Sequence, residues 1–410
     1  MADFWAERRK IATFSCKGKA GHEGCVVKST TVLNSGQKDR ILLLGCGFVA
    51  DLYARSLKTF PNIEVAGVFD IDAARRAAFC SHWGYPQCDS FAALLAAAPG
   101  ALVVNLTNPH AHFDTSKACL EAGHPVYSEK PLATAFDDAR ALHDLAEAKG
   151  LVLASAPCSA LGEAAQTLGH ALRAGTVGTP RAIYAELDDG FIPQAAYHKW
   201  VSESGAPWPF EDEFRVGCTL EHAGYYLTWL MSWFGSVRTV VAASAETIPD
   251  KEGNGPFAPD LSVAILYFEN GPVTRLTCSI TAPHDHTIRV VGDKGVLSCN
   301  AAWDNAAKVR FARRLTVRRR LMEHPWPKRI KLPQPTHPKV ERWGAAAMNF
   351  ALGPAEVLEA AREHRPPRMT NAMALHLTEV TLAIQNSGET TGAQRMTTTC
   401  DPMEPMPWAR

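Results

Sequence analysis

Ile41-Leu42-Leu43-Leu44-Gly45-Cys46-Gly47-Phe48-Val49-Ala50 is the stretch that decides the fold. Four consecutive apolar residues suit a strand covered on both faces, and the glycines after them open a helical stretch running to about Phe60. Gly45 permits the sharp turn, Gly47 leaves room for close approach to the backbone, and Ala50 lets helix and strand pack tightly. Free N–H groups at such a helix start bind phosphate, so Gly45, Cys46, Gly47, Phe48 and Val49 are candidate contacts for a dinucleotide pyrophosphate. By itself the pattern also fits an ordinary strand-to-helix turn.

Moving outward, strands at Ile63–Phe69, Ala101–Leu106, Val126–Ser128 and Leu151–Ala154 alternate with helical stretches. That alternation implies βαβ units and a doubly wound parallel sheet of Rossmann type. The second strand ends at Asp70, about 25 residues beyond Gly45, where a carboxylate can hold the adenosine ribose hydroxyls and repel a 2′-phosphate. NAD is therefore the expected cofactor; Arg75 and Arg76, one helical turn further on, keep NADP as the alternative. Asp70 could also serve as a helix cap, a role open equally to Asp72.

After about Cys158 the rhythm changes to a helix (161–174), a strand (181–187), an aromatic and proline-rich loop, and an apolar helix from about Gly217 to Phe234. Strand-like runs at 237–243, 261–268, 273–280 and 287–291, separated by turn residues, read as a large, mostly antiparallel sheet. Helices are expected at 340–364 and 370–386. The fold class is thus α/β, a Rossmann sheet followed by an α+β domain. The expected divisions are an extension at 1–39, a cofactor-binding domain at 40–158, a substrate-binding and oligomerisation domain at 159–390, and a tail at 391–410.

With 46% hydrophobic residues the 410-residue chain can bury two cores, and 42 basic against 42 acidic side chains give no field that draws it to nucleic acid or an anionic membrane. Eleven dispersed cysteines without a CxxC pair suit a reducing, cytoplasmic setting, and no segment has the apolar length of a membrane span. A small-molecule substrate is the expected partner, and an exposed face of the antiparallel sheet would be covered in a homodimer or homotetramer.

After the third strand the chain reads Asn105-Leu106-Thr107-Asn108-Pro109-His110-Ala111-His112, and after the fourth Tyr127-Ser128-Glu129-Lys130-Pro131-Leu132. Together with Gly45–Ala50, Phe268-Glu269-Asn270-Gly271 and Val291–Leu297, these resemble the signatures of the Gfo/Idh/MocA oxidoreductases over roughly residues 40–388. The resemblance implies a nicotinamide-dependent dehydrogenase acting on a sugar, polyol or similar cyclic hydroxylated compound. It implies cofactor contacts at Thr107, Asn108, Pro109, His112 and Glu129, and a Lys130 that serves cofactor and substrate, with the bond to Pro131 often cis. Lys130 lies beyond the carboxyl end of a strand, where ligands of such sheets sit, and its ammonium can hydrogen-bond a substrate hydroxyl.

Related enzymes carry an Asp and, four residues later, a His or Tyr on the helix near Gly217, because i and i+4 share one face. Matching on Gly224 places His222 at the first position and Tyr226 at the second, so both join Lys130 as catalytic candidates. His222 is a departure from the carboxylate; Glu221 could replace it only if the helix were rotated or irregular. Among nearby aromatics, Tyr197, Trp200 and Tyr225 are candidate substrate contacts, and His198 a weaker one. His284-Asp285-His286 lacks a further nearby ligand, so no metal is expected. The basic stretch 310–331 is expected to be a solvated face, with a phosphorylated or nucleotide-linked substrate as its other use. Two other readings are a cycle of transient oxidation without net redox, as in NAD-dependent glycosidases and epimerases, and a non-catalytic ligand-sensing regulator.

Overall fold

The computed structural model describes residues 38–253 and 255–410, so the expected extension at 1–39 lies outside them but for its last two residues. β1 (Asp39–Leu44), β2 (Ile63–Phe69), β3 (Leu102–Asn105), β4 (Val126–Ser128) and β5 (Leu153–Ser155) form a parallel sheet in the order β2-β1-β3-β4-β5. The apolar run in β1 is divided between the two faces. Ile41 and Leu43 join one core cluster and Leu42 and Leu44 the other, which is why no residue in the run is polar. Helices α1 (Phe48–Leu57), α2 (Ala73–Trp83), α3 (Phe91–Ala97), α4 (His112–Glu121) and α5 (Phe136–Lys149) make the crossovers. Strand order reverses between β1 and β3, and a crevice at their carboxyl ends is where such sheets take their ligands.

The second sheet runs β13-β12-β11-β10-β6-β9-β8-β7-β15, with β14 beside β12. Its strands are β6 (Pro180–Asp188), β7 (Val237–Ala245), β8 (Leu261–Phe268), β9 (Val273–Ser279), β10 (Ile288–Gly292), β11 (Gly295–Cys299), β12 (Arg310–Val317), β13 (Arg320–Glu323), β14 (Lys328–Arg329) and β15 (Gln394–Arg395). β6 and β9 pair parallel and the other neighbours antiparallel. The basic stretch is largely exposed, as expected, and is built into β12, β13 and β14 at one end of the sheet.

The remaining helices are α6 (Glu163–Arg173), α7 (Phe210–Val216), α8 (Gly224–Phe234), α9 (Leu352–Arg362) and α10 (Asn371–Gln385). α10 is buried along most of its length and packs on α5, on β7 and on the turn preceding α8, which ties the two sheets together. The helix expected from Val340 starts only at Leu352. Asn305 Oδ1 accepts the Asn349 N–H at 2.6 Å and Asn349 Oδ1 accepts the Ala351 N–H at 3.2 Å, which holds this segment out of the helix. Residues 391–410 are not a loose tail. β15 extends the sheet, and the carbonyl of Ala409 accepts from Arg173 at 2.5 Å. Among the described residues no helix is long and apolar enough to cross a membrane.

Candidate active site

At the end of β1, Gly45 has φ +102°, and a Cβ there would lie 2.5 Å from the Leu106 carbonyl oxygen, so only glycine fits. A Cβ on Gly47 would meet nothing within 4 Å, and no side chain caps α1. The first amides of α1 therefore face open space of the kind a pyrophosphate fills. Asp70 fastens the turn, its Oδ2 accepting the Cys46 N–H at 2.7 Å and its Oδ1 the Asp72 N–H at 2.8 Å. Each oxygen keeps a lone pair for ribose hydroxyls. Arg76 is spent locally, donating to the Asp70 carbonyl at 2.7 Å and stacking on Phe69, and Arg75 pairs with Asp72 at 3.7 Å. The turn and its free amides fit NAD.

The loop after β3 and the exit of β4 are locked together. Thr107 Oγ1 donates to Asn105 Oδ1 at 2.8 Å; Asn108, just before Pro109, donates to Asp212 at 2.7 Å. His112 is fully buried, its ring nitrogens on the carbonyls of Thr107 (2.8 Å) and Pro131 (2.6 Å), and burial holds its pKa below the ordinary value. It is a clamp between two loops rather than the cofactor contact expected. Glu129 also departs from expectation. Its carboxylate is turned inward, accepting from Tyr53 Oη at 2.6 Å and from the Lys130 N–H at 3.1 Å, so it braces Lys130 instead of facing a ribose. The Lys130–Pro131 bond is cis.

The largest revision concerns the partner of Lys130. Residues Thr219–Ala223 form a π-helical turn ahead of α8, so one extra residue is accommodated there. Gly217 at φ +95° starts it, with no room for a Cβ beside Ala258 and Gln385. Gln385 of α10 then serves its loosened backbone, accepting the Leu220 N–H at 3.1 Å and donating to the Val216 carbonyl at 2.7 Å. The bulge turns Glu221, rather than His222, onto the Lys130 Nζ, in an ion pair whose side chains are 17% and 3% exposed. Burial alone would lower the Lys130 pKa, but the Glu221 carboxylate raises it well above its ordinary value. Glu213 on α7 faces the same group; burial and then the Glu221 charge hold its carboxyl far above the usual carboxylate range.

Tyr226, expected at the site, is instead wholly buried against Trp229, and its hydroxyl donates to the His286 carbonyl. Its place is taken by Tyr225, four residues from Glu221 and electrostatically coupled to Lys130, with burial pushing its phenol up. His222 pairs instead with Asp189, its Nδ1 2.5 Å from Asp189 Oδ2. Burial would depress His222, yet Asp189 raises it to about 9. Tyr197 is 4% exposed and packed among Trp208, Phe210 and Phe214, so it is core; Trp200 lies half-exposed against Trp208. His198 pairs with Glu252 at 2.6 Å. Trp303, unmarked by any sequence pattern, packs on Tyr225 and His222 with ring centroids 5.9 and 6.1 Å apart. Glu213 and Asp189 were missed for the same reason: only tertiary structure brings them here.

Residues 40–156 match the model of an oxidoreductase family with an NAD-binding Rossmann fold, and residues 165–298 match the GFO/IDH/MocA C-terminal domain. An uncharacterized oxidoreductase, YfiI of Bacillus subtilis, is 27% identical over 58% of this chain and 63% of its own length. The trans-1,2-dihydrobenzene-1,2-diol dehydrogenase of Mus musculus is 24% identical over 64% of this chain and 74% of its own. In fold, the chain is similar to the WlbA dehydrogenase of Bordetella pertussis, solved with NADH and UDP-GlcNAcA (TM-score 0.66, 18% identity, 89% and 99% covered).

Proposed function

This chain belongs to the Gfo/Idh/MocA oxidoreductase family, and from that premise we propose that it moves hydride between NAD and a secondary alcohol or ketone carbon of a sugar, polyol or similar cyclic hydroxylated compound. The observation that carries this reading is a largely buried ammonium, Lys130, paired with Glu221 beside the Tyr225 hydroxyl at the carboxyl ends of the parallel strands. Tyr225 is 7% exposed, and among the described residues its hydroxyl has no hydrogen-bond partner. The cyclic diol in the name of the mouse relative supports the substrate class.

NAD held at the Gly45–Val49 turn supplies the hydride acceptor. Lys130 Nζ donates a hydrogen bond to the carbinol oxygen and stabilises the negative charge that grows there as the C–H bond breaks. The hydroxyl proton passes to Nζ as Nζ hands one of its own to Glu221 Oε2, so the pair gains one proton and Lys130 stays cationic. In the reverse direction the same pair returns it. Tyr225 orients a neighbouring hydroxyl.

The test begins with NADH fluorescence on mixing with the purified protein, then follows NAD reduction against sugars, polyols and dihydrodiols. Binding with turnover lost in Lys130→Ala is the expected result. Failure to bind either NADH or NADPH overturns the cofactor reading; intact turnover in Lys130→Ala overturns the mechanism.

A further inference from the structure

We propose that Asp189, His222, His284 and His286 form a binding site for one divalent transition-metal ion of the zinc class, at the edge of the Lys130 cleft. The sequence offers His284 and His286 without a third donor; the fold supplies two. Asp189 directly follows β6, and the β9–β10 connection that carries both histidines is stitched to it. The Asp188 N–H donates to the Asp285 carbonyl at 3.0 Å and the Asp285 N–H to the Asp188 carbonyl at 2.9 Å. One ligand atom from each of Asp189, His284 and His286 lies within 4.8 Å of the others. The π-helical turn that delivers Glu221 to Lys130 delivers His222 to this cluster.

The arrangement around Asp189 is what points to a cation. Its carboxylate is fully buried between two imidazoles, Oδ1 2.5 Å from His286 Nε2 and Oδ2 2.5 Å from His222 Nδ1. The second contact does not have the direction of a hydrogen bond, so Asp189 Oδ2 and His222 Nδ1 stand buried, close and without a hydrogen-bond partner. Imidazole nitrogen and carboxylate oxygen are the donors that zinc takes at roughly 2.0–2.2 Å, which puts neighbouring ligand atoms about 3.4 Å apart around a tetrahedral ion. Asp189, His284 and His286 meet within 4.8 Å, and His222 joins them through its 2.5 Å approach to Asp189. Glu213 and Glu221 supply further negative charge on the Lys130 side.

The surrounding shell behaves as support for ligands. Trp303 packs edge-on to His286 with ring centroids 4.5 Å apart and also touches His284 and His222, while the buried Tyr226 hydroxyl holds the His286 carbonyl. His284 is exposed and gives an ion a route in from solvent. Four protein donors close a tetrahedral shell, so an ion held here is structural, and its binding does not rest on the dehydrogenase reading above.

The experiment titrates chelator-stripped wild-type protein with Zn²⁺ by calorimetry and with Co²⁺ by visible absorption. One ion per chain and a ligand-field spectrum of tetrahedral intensity are expected. His284→Asn and His286→Asn should each weaken binding by more than the roughly 10–100-fold that loss of an outer-shell partner costs. His198→Asn, outside the cluster, should bind as wild type. Should the buried His286 variant fail to fold, the exposed His284 variant carries the test, with circular dichroism as the check. Absence of stoichiometric Zn²⁺ or Co²⁺ binding to wild type, or unchanged affinity in His284→Asn, overturns the site. Metal binding by a protein that turns over no substrate leaves the site standing and counts against the dehydrogenase reading alone.

Discussion

Replacing Glu221 by Gln keeps the shape of the side chain and removes the charge opposite Lys130. Both groups are largely sequestered, so the contact is a charge-assisted hydrogen bond of about 1.5–3 kcal/mol. Loss of that interaction as the substrate oxygen gains charge lowers kcat/KM by about ten- to a hundredfold, at 1.36 kcal/mol per tenfold, and loss of the carboxylate that receives the proton lowers it further. The pH profile should move as well. Burial pushes Lys130 down and the Glu221 charge is the chief opposing influence, so in Glu221→Gln the ammonium releases its proton at lower pH and the alkaline limb shifts toward neutrality. Breaking a buried pair from one side also costs stability, up to about 3–5 kcal/mol. Steady-state NAD reduction across pH is therefore measured beside a melting curve, and kinetics are compared well below the variant's Tm. A Glu221→Gln enzyme that keeps wild-type kcat/KM and an unshifted alkaline limb would refute the view that the π-helical turn gives Lys130 its partner.

The tyrosines separate the expected site from the observed one: Tyr225→Phe should lower kcat or raise KM, while Tyr226→Phe should leave the cofactor affinity intact and cost about 1 kcal/mol in denaturant unfolding for its lost hydrogen bond. Gly45→Ala forces a Cβ against the Leu106 carbonyl at a positive φ, and NADH fluorescence titration should show binding lost or weakened beyond detection. His376 is fully buried, its Nε2 accepting the Val237 N–H at 2.9 Å, and burial lowers its pKa from 6.5 to about 4. The unfolded chain therefore binds the proton more readily, and about 3 kcal/mol of stability present above pH 6.5 is lost as pH falls toward 4; a His376→Gln variant should show a flatter Tm against pH in that window. Tyr184, Val241, Val263 and Val273 lie exposed on the large sheet, so size-exclusion chromatography should find a homo-oligomer that Val263→Lys shifts toward monomer.

What the sequence disclosed follows from how each feature is encoded. The Rossmann sheet was readable because parallel strands buried on both faces must be apolar throughout, and the Gly45 turn because its backbone admits no side chain. β12 and β13 were not, since strands at the open end of the sheet with no buried residue on either face, such as Arg310–Val317, lose the alternation that marks a strand. The site failed at one residue. Apolar side chains cover every side of the helix around Gly224, so its periodicity carries no record of whether a turn closes at i+4 or i+5, and matching on Gly224 silently assumed the former. That choice exchanged Glu221 for His222 and Tyr225 for Tyr226. The information was nevertheless present at a distance: an i+5 turn leaves backbone groups unpaired, and a buried Gln385 on α10, bonded to both Val216 and Leu220, is the side chain that pairs them. A buried glutamine near the end of a buried helix is therefore itself a sign that some neighbouring backbone is irregular, and here that irregularity decides which carboxylate meets the lysine.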